Sequence, residues 1–308
     1  MIDLPATLWC GSRQAIIISE PIIEAYFASL RANQLWDEAA GPRPDPAPVG
    51  GLSKEQTDLH FAHAFDGSVA RAQLALLDPY STVPVTSEKL LRFFSGGRLC
   101  LADLPCGAGA ASLAFLGSVY ELRRAQKLPR VPMYVHIIGG EISGPARTYA
   151  DQLLRHVNHA FADQAIFVTH EMCNWDVLSS VSTTDLVRKI LQSPFSESQT
   201  LVVVCNFNGF LERSGKKEAA RPQLEEVFRY CSGRTNGAVW IEPQMNSAIN
   251  ALFPWLRIIF TKLASFLRLE IDSDEAEATQ CLFELPVKAP ATATARLAVL
   301  TIDMASPR

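Results

Sequence analysis

The 308 residues contain no Cys-x-x-Cys pair, no run of apolar residues long enough to cross a bilayer, and no excess of positive charge. Each absence excludes something. The seven cysteines (Cys10, Cys100, Cys106, Cys173, Cys205, Cys231 and Cys281) are odd in number and scattered. That pattern reads as neither a disulfide framework nor a zinc site, and free thiols in a reducing cytoplasm are expected. The apolar stretch "AIIISEPII" falls far short of the ~20 residues a transmembrane helix needs. The opening "MIDLPATLWCGSRQ" has Asp3 where a secretory signal would have basic residues before an apolar core. Lys and Arg number 28 against 32 Asp and Glu, for a formal net charge of −4, so no field spanning the whole protein invites nucleic acid. What remains is 48% apolar and 19% charged, the composition of one large globular domain or of one domain with an appendage.

The first third also lacks strand alternation. Over residues 1–97 the pattern is helical. "SEPIIEAYFASLRANQLWDEAA" offers Ser19 as a cap and a proline near the start, with Ile22, Ile23, Tyr26, Phe27 and Leu30 on one face. "GPRPDPAPVGG", residues 41–51, is rich in Pro and Gly and predicts an exposed, mobile loop. "SKEQTDLHFAHAFDGSVARAQLALLD" resumes as helix behind a Ser53–Gln56 capping box, and Pro79 stops it. "TSEKLLRFFSGG" is one more short helix. This part is expected to form a helical cap or arm whose apolar faces dock on the rest of the chain or on a second copy in a homodimer.

From residue 98 to 308 the pattern becomes strand–helix alternation. "RLCLADL", "MYVHIIGGE", "QAIFVTHE", "TLVVVCNF" and "GAVWIEP" are strands, each followed by a helical stretch. Near-continuous apolar strands suit a parallel sheet covered on both faces, and right-handed crossovers make it doubly wound. "TQCLFELPV" and "TARLAVLTIDM" are separated by too little chain for a parallel crossover, so they form an antiparallel hairpin. The expected fold is therefore α/β: a doubly wound, seven-stranded, mostly parallel sheet with a terminal antiparallel β-hairpin, preceded by an N-terminal helical region. A dinucleotide-binding domain would close with a sixth parallel strand instead, and this opposes a nicotinamide- or flavin-dependent oxidoreductase.

The motif "LADLPCGAG" has a hydrophobic strand, an acid and a glycine-rich turn. Together with the terminal hairpin it resembles the class I S-adenosylmethionine-dependent methyltransferases, whose seven-stranded sheet ends in an antiparallel strand. Pro105 stands where that family usually has a glycine, while Gly107 and Gly109 keep the other two glycine positions. The resemblance spans roughly two-thirds of the chain, residues 98–308, and implies S-adenosylmethionine as cofactor. It implies that Asp103, Pro105, Gly107 and Gly109 surround the methionine moiety and that Glu141 takes the ribose hydroxyls. It also implies that Asp176, with Asn174 as an alternative, meets the adenine amino group while Trp175 stacks on the ring. The residues themselves agree in part. Glycines let the backbone turn and approach a ligand closely, and the following helix presents free N–H groups. A carboxylate can also accept two well-directed bonds from a diol.

The fourth strand ends in "CNFNGFLER". In this fold its end faces the methyl group, so Asn206 and Asn208 are candidate catalytic positioning residues, with Phe207 and Phe210 as walls. No catalytic base is evident, and little acid–base help is needed where the nucleophile is already neutral or anionic, because alignment supplies most of the effect in methyl transfer. Arg213, Lys216, Lys217 and Arg221 follow in "RSGKKEAAR", a charged loop that could meet a nucleic-acid phosphate. His60 and His63 share a helix without a third ligand in view, so no metal site is expected. The expected function is methyl transfer to an unidentified acceptor (RNA, protein or small molecule). The rival reading is a non-catalytic methyltransferase-like binding or assembly protein.

Overall fold

The computed structural model describes residues 3–45, 48–195, 197–243, 245–267 and 276–304. Pro46 and Ala47, within the loop expected to be mobile, lie outside the described residues. The chain opens with two very short strands, β1 (Trp9–Cys10) and β2 (Ala15–Ile16). Four helices follow: α1 (Glu20–Ala32), α2 (Trp36–Ala40), α3 (Lys54–Leu77) and α4 (Pro84–Phe93). The alternating part comprises β3 (Gly97–Asp103), α5 (Ala110–Arg124), β4 (Met133–Glu141), α6 (Gly144–Asp163), β5 (Ile166–Asn174), α7 (Ser180–Gln192) and β6 (Thr200–Cys205). It continues with α8 (Asn208–Arg213), α9 (Lys217–Cys231), β7 (Gly237–Glu242), α10 (Met245–Ser247), a π-helical turn (Ala248–Leu252) and α11 (Phe253–Leu267). The hairpin of β8 (Glu277–Glu284) and β9 (Thr292–Asp303) ends the fold.

The sheet order is β1-β2-β8-β9-β7-β6-β3-β4-β5. Strands β3 to β7 are mutually parallel, and β9 runs antiparallel to both β7 and β8. The expected kind of fold is present, with nine strands rather than seven. The two additions come from the segment read as purely helical: β2 pairs in parallel with β8 at Ala15–Leu282 and Ile16–Phe283, and β1 pairs with β2. Strands of two residues are too short to show alternation, so the sequence pattern conceals them.

Period-two alternation splits the core into two layers. Leu99, Leu101, Leu201 and Val203 face a layer built from α1, α3, α4, α5 and α6. Cys100, Ala102, Val202 and Val204 face α7, α9 and α11. The N-terminal helices therefore belong to one of the two layers that cover the sheet. Their apolar faces, carried by Ile22, Tyr26, Phe61 and Phe65, share one cluster with the sheet residues. Ser53 caps α3 as expected, accepting from Gln56 N–H at 3.2 Å. Ser19 does not cap α1. Its hydroxyl instead donates to Glu121 on α5 at 3.2 Å, and the same buried carboxylate accepts the Glu20 N–H at 3.4 Å. A negative charge at a helix start is favourable wherever it comes from.

One element positions the site. α3 crosses above the carboxyl ends of the parallel strands. Near its start Thr57 meets Ser143, just beyond β4, at 3.1 Å, and Phe61 stacks on Tyr149 with centroids 4.2 Å apart. Four turns later Arg71 bonds Asn206, just beyond β6, at 2.8 Å, and the Arg296 carbonyl of β9 at 3.0 Å. Fourteen residues of helix span about 21 Å, enough to roof the crevice from β4 to β9. Among the described residues no helix is long and apolar enough to cross a membrane.

Candidate functional site

The turn after β3 is built by two glycines with different tasks. Gly107 and Gly109 have φ of +52° and +78°, a region that side chains rarely enter. A Cβ added at Gly107 would meet no atom within 4 Å, so this backbone faces open space. A Cβ at Gly109 would lie 3.4 Å from that of Ala150, so this glycine lets α5 approach α6. The Gly109 N–H closes the turn onto the Cys106 carbonyl at 2.8 Å, and the Cys106 N–H ties it to the Gly140 carbonyl at 2.9 Å.

Two carboxylates flank this turn. Asp103, the last residue of β3, is 1% exposed. Its Oδ2 accepts the Ser112 hydroxyl at 2.6 Å and the Ser112 N–H at 3.3 Å, while Oδ1 has no hydrogen-bond partner. Burial pushes its pKa up to about 6, with the Ser112 bonds pulling the other way. Glu141, the last residue of β4, accepts the Gly107 N–H on Oε2 at 3.2 Å and the Ser143 N–H on Oε1 at 2.8 Å. Burial also raises its pKa, against those backbone bonds and the Arg147 charge. Arg147 ties the ends of β4 and β5 together. It donates to the carbonyls of Glu141 and Ile142 and, at 3.0 Å, to the side chain of Asn174.

The strand β5 runs on to Asn174, three residues past the expected end at Glu171. Trp175 lies in the core, 2% exposed, with its indole N–H on Thr183 at 3.2 Å. That burial leaves no open ring face and corrects the expectation of a stacking role. Asp176 accepts the Leu178 N–H at 2.9 Å in a local turn, and Ser179 caps α7. Pro105 lies in the turn, after a cis bond from Leu104.

Beyond β6 the two asparagines separate. Asn206 is exposed, with φ of +58°, and its amide is held by Arg71 and by Ser68 at 3.3 Å. Asn208 is fully buried at the start of α8, with its amide N–H on Ser247 at 3.4 Å. The expectation of a catalytic pair is corrected on this point: only Asn206 is solvent-exposed. Sequence reasoning missed Glu242, the organiser of this turn. It closes β7 and is 1% exposed. Its Oε1 accepts the N–H groups of Phe207 at 2.9 Å and Asn208 at 2.8 Å, and the Trp240 indole at 2.6 Å. Burial pushes its pKa up to about 7. The signal was available: "GAVWIEP" ends in an acid after an apolar strand, as do β3 and β4.

The expected charged loop is mostly helix. Arg213 ends α8, Lys216 immediately precedes α9, and Lys217 begins it. Lys216 lies 5.8 Å from the Phe210 ring and Lys217 5.1 Å from that of Trp255, while Arg221 pairs with Glu218 and Glu225. His63 bonds Glu38 at 2.6 Å. A groove of ≈ 520 Å³ lined by Arg13, Tyr80, Gln280 and Leu282 lies at the β1–β2 edge, away from the strand ends.

The sheet is doubly wound with its last strand antiparallel, and an acid and a glycine turn follow its first long parallel strand. No family model matches the sequence, and no curated protein matches it. Solved structures similar to the chain include precorrin-6y C5,15-methyltransferase from Geobacter metallireducens GS-15, at 8% identity and TM-score 0.35, covering 72% of this chain and 88% of that one. A Listeria monocytogenes protein assigned to the class I S-adenosylmethionine-dependent methyltransferases is 12% identical with TM-score 0.37, covering 92% of this chain and 79% of that one. A glycopeptide N-methyltransferase in complex with sinefungin is 11% identical with TM-score 0.34, covering 70% and 84%.

Proposed function

We propose that this chain binds S-adenosylmethionine at the carboxyl ends of β3 and β4 and is a methyltransferase. The observation that carries the reading is the linked set Asp103–Gly107–Glu141. A left-handed glycine facing open space is bonded to one strand-end carboxylate and sits beside another that has an orphaned, buried oxygen. A buried oxygen without a donor is costly, and an ammonium group would satisfy it. The residues therefore fit the cofactor. When bound, it would supply an electrophilic methyl group on a positively charged sulfur. Asp103 would hold the ammonium, Gly107 would leave room for the backbone to approach, and Glu141 would accept the ribose hydroxyls. α3 would exclude water from above, and Asn206 would border the space from which the acceptor arrives.

Calorimetry tests the reading. One molecule of S-adenosylmethionine or S-adenosylhomocysteine is expected to bind per chain. No heat with either, together with tight binding of a nicotinamide dinucleotide, overturns it. Replacing Glu141 by Ala removes charge-assisted bonds worth roughly 1.5–3 kcal/mol. It also frees the Gly107 N–H. Cofactor affinity is expected to fall on the order of tenfold to a hundredfold. A folded variant with unchanged affinity would assign the ribose to another acid.

One observation favours the rival reading of a binding or assembly protein. The Asn206 amide is already engaged by Arg71 and Ser68, leaving that side chain little freedom to meet an acceptor. Turnover separates the two. Cofactor binding without formation of S-adenosylhomocysteine, when RNA, protein and small-molecule pools are supplied, favours a binder.

A further inference from the structure

Arg71 is a half-buried cation whose bonds are all to neutral groups. Nε donates to the Arg296 carbonyl at 3.0 Å and Nη1 to the Asn206 amide oxygen at 2.8 Å. These two anchors fix the plane of the guanidinium. No carboxylate forms an ion pair with it among the described residues, and its Nη2 edge has no partner among them. The charged and titratable groups that face it give little compensation. Cys205 is held as a neutral thiol by burial, and Glu242 and Asp66 have carboxyls raised by burial. Arg43 opposes it with like charge. A guanidinium does not shed its proton at any ordinary pH, so burial here leaves a charge in need of a counter-ion.

Two further groups share the neighbourhood. Arg43, exposed on the loop after α2, forms no ion pair among the described residues. His60, one of the two histidines noted in the sequence, lies on α3 like Arg71. Burial, then Arg43 and Arg71, hold it towards its neutral form. His60 and Arg71 thus lie about three turns apart on α3, and the charge of Arg43 acts on both. The place is specific. Asn206, which Arg71 grips, follows β6, whereas the proposed cofactor residues follow β3 and β4.

We propose that Arg71 seats an anionic group of the methyl acceptor, a carboxylate or a phosphate, at the carboxyl end of β6. This rests on the methyltransferase reading and names the substrate class for the same site. A planar guanidinium with one free edge suits either oxyanion, because both accept paired N–H bonds. Arg71 would therefore decide which acceptors enter, while the cofactor half of the crevice would be indifferent to it.

The test uses the full chain loaded with S-adenosylhomocysteine, at ionic strength balanced with chloride. Melting-temperature shifts are recorded against inorganic phosphate in one arm and succinate in the other. Wild type is expected to saturate with one of the two anions, which identifies the source, and Arg71→Gln is expected to need at least tenfold more. Gln retains a donor for Asn206, and Arg71→Lys, which keeps the charge, is expected to recover part of the effect. Affinity for S-adenosylhomocysteine is expected to stay within twofold in Arg71→Gln. Equal responses of wild type and Arg71→Gln, or no saturation with either anion, overturn the proposal. So does a tenfold loss of S-adenosylhomocysteine affinity that methylthioadenosine, which lacks the carboxylate, does not share. That result would make Arg71 the seat of the cofactor's own carboxylate. The titrations are repeated on the unloaded protein. A wild type that does not bind S-adenosylhomocysteine yet still shows the Arg71-dependent anion response counts against the methyltransferase reading alone.

Discussion

Deleting residues 1–50 is expected to leave an insoluble or unfolded chain. From the sequence pattern alone, residues 1–50 read as a separable arm, whose loss would largely spare cofactor binding and impair turnover or dimer formation. The packing says otherwise. Leu8, Ile16, Ile18, Ile22, Tyr26 and Leu30 are each 3% exposed or less, in the same cluster as the sheet residues Leu99, Val135 and Val203. Burying a side chain of this kind stabilises by roughly 1.5–3 kcal/mol, so six of them rival the ~5–15 kcal/mol that holds a whole domain. The deletion also uncovers the outer faces of α5 and α6 and the edge of β8. Soluble yield, gel filtration and circular dichroism measure the outcome. A soluble truncation that keeps its secondary structure and cofactor affinity would refute it. Tyr26→Ala probes the same layer without cutting the chain. The ring lies 4.9 Å from Phe65 and 5.2 Å from Phe61, and its hydroxyl donates to the Ala62 carbonyl at 2.9 Å. A loss of about 3–5 kcal/mol is expected by urea unfolding, against about 1 kcal/mol for Tyr26→Phe.

What the sequence made legible follows from the length scale of each signal. Five apolar strands alternating with helices announce themselves over six to nine residues each, as does the hairpin of β8 and β9. The glycine turn was readable because Asp103, Gly107 and Gly109 are close neighbours in the chain. Signals that depend on distant partners were not. Ser19 looks like a cap, but its hydroxyl goes to Glu121, about a hundred residues away. Trp175 sits where a stacking ring would, but Thr183 and the core claim it. Asn208 belongs with Glu242 rather than with Asn206, a matter of which way a turn folds. Arg71 carries no local mark at all. It is one cation on a long helix, and it gains meaning only because α3 crosses the crevice.

Raising the pH from 5 to 8 is expected to destabilise the free protein, with Glu242 and Asp103 the main causes. Burial lifts Glu242 from an ordinary 4.5 to about 7 and Asp103 from 3.8 to about 6. The folded chain then holds protons that the unfolded chain has released, so stability falls as pH rises through these raised values. Each group contributes roughly 3 kcal/mol, present in full below its ordinary pKa and lost above its raised one. Glu242→Gln keeps an acceptor oxygen for Phe207, Asn208 and Trp240 but cannot ionise. Its urea midpoint is expected to match wild type near pH 5 and exceed it at pH 8. A variant as pH-sensitive as wild type would show that Glu242 is not the titrating group. Cofactor binding should run the opposite way, because an ammonium prefers the ionised Asp103. Affinity is expected to weaken about tenfold per unit as pH falls below about 6 and to level off above it. Asp103→Asn should bind weakly and without that slope. If the slope survives the substitution, another group receives the ammonium, and the orphaned oxygen of Asp103 has some other partner.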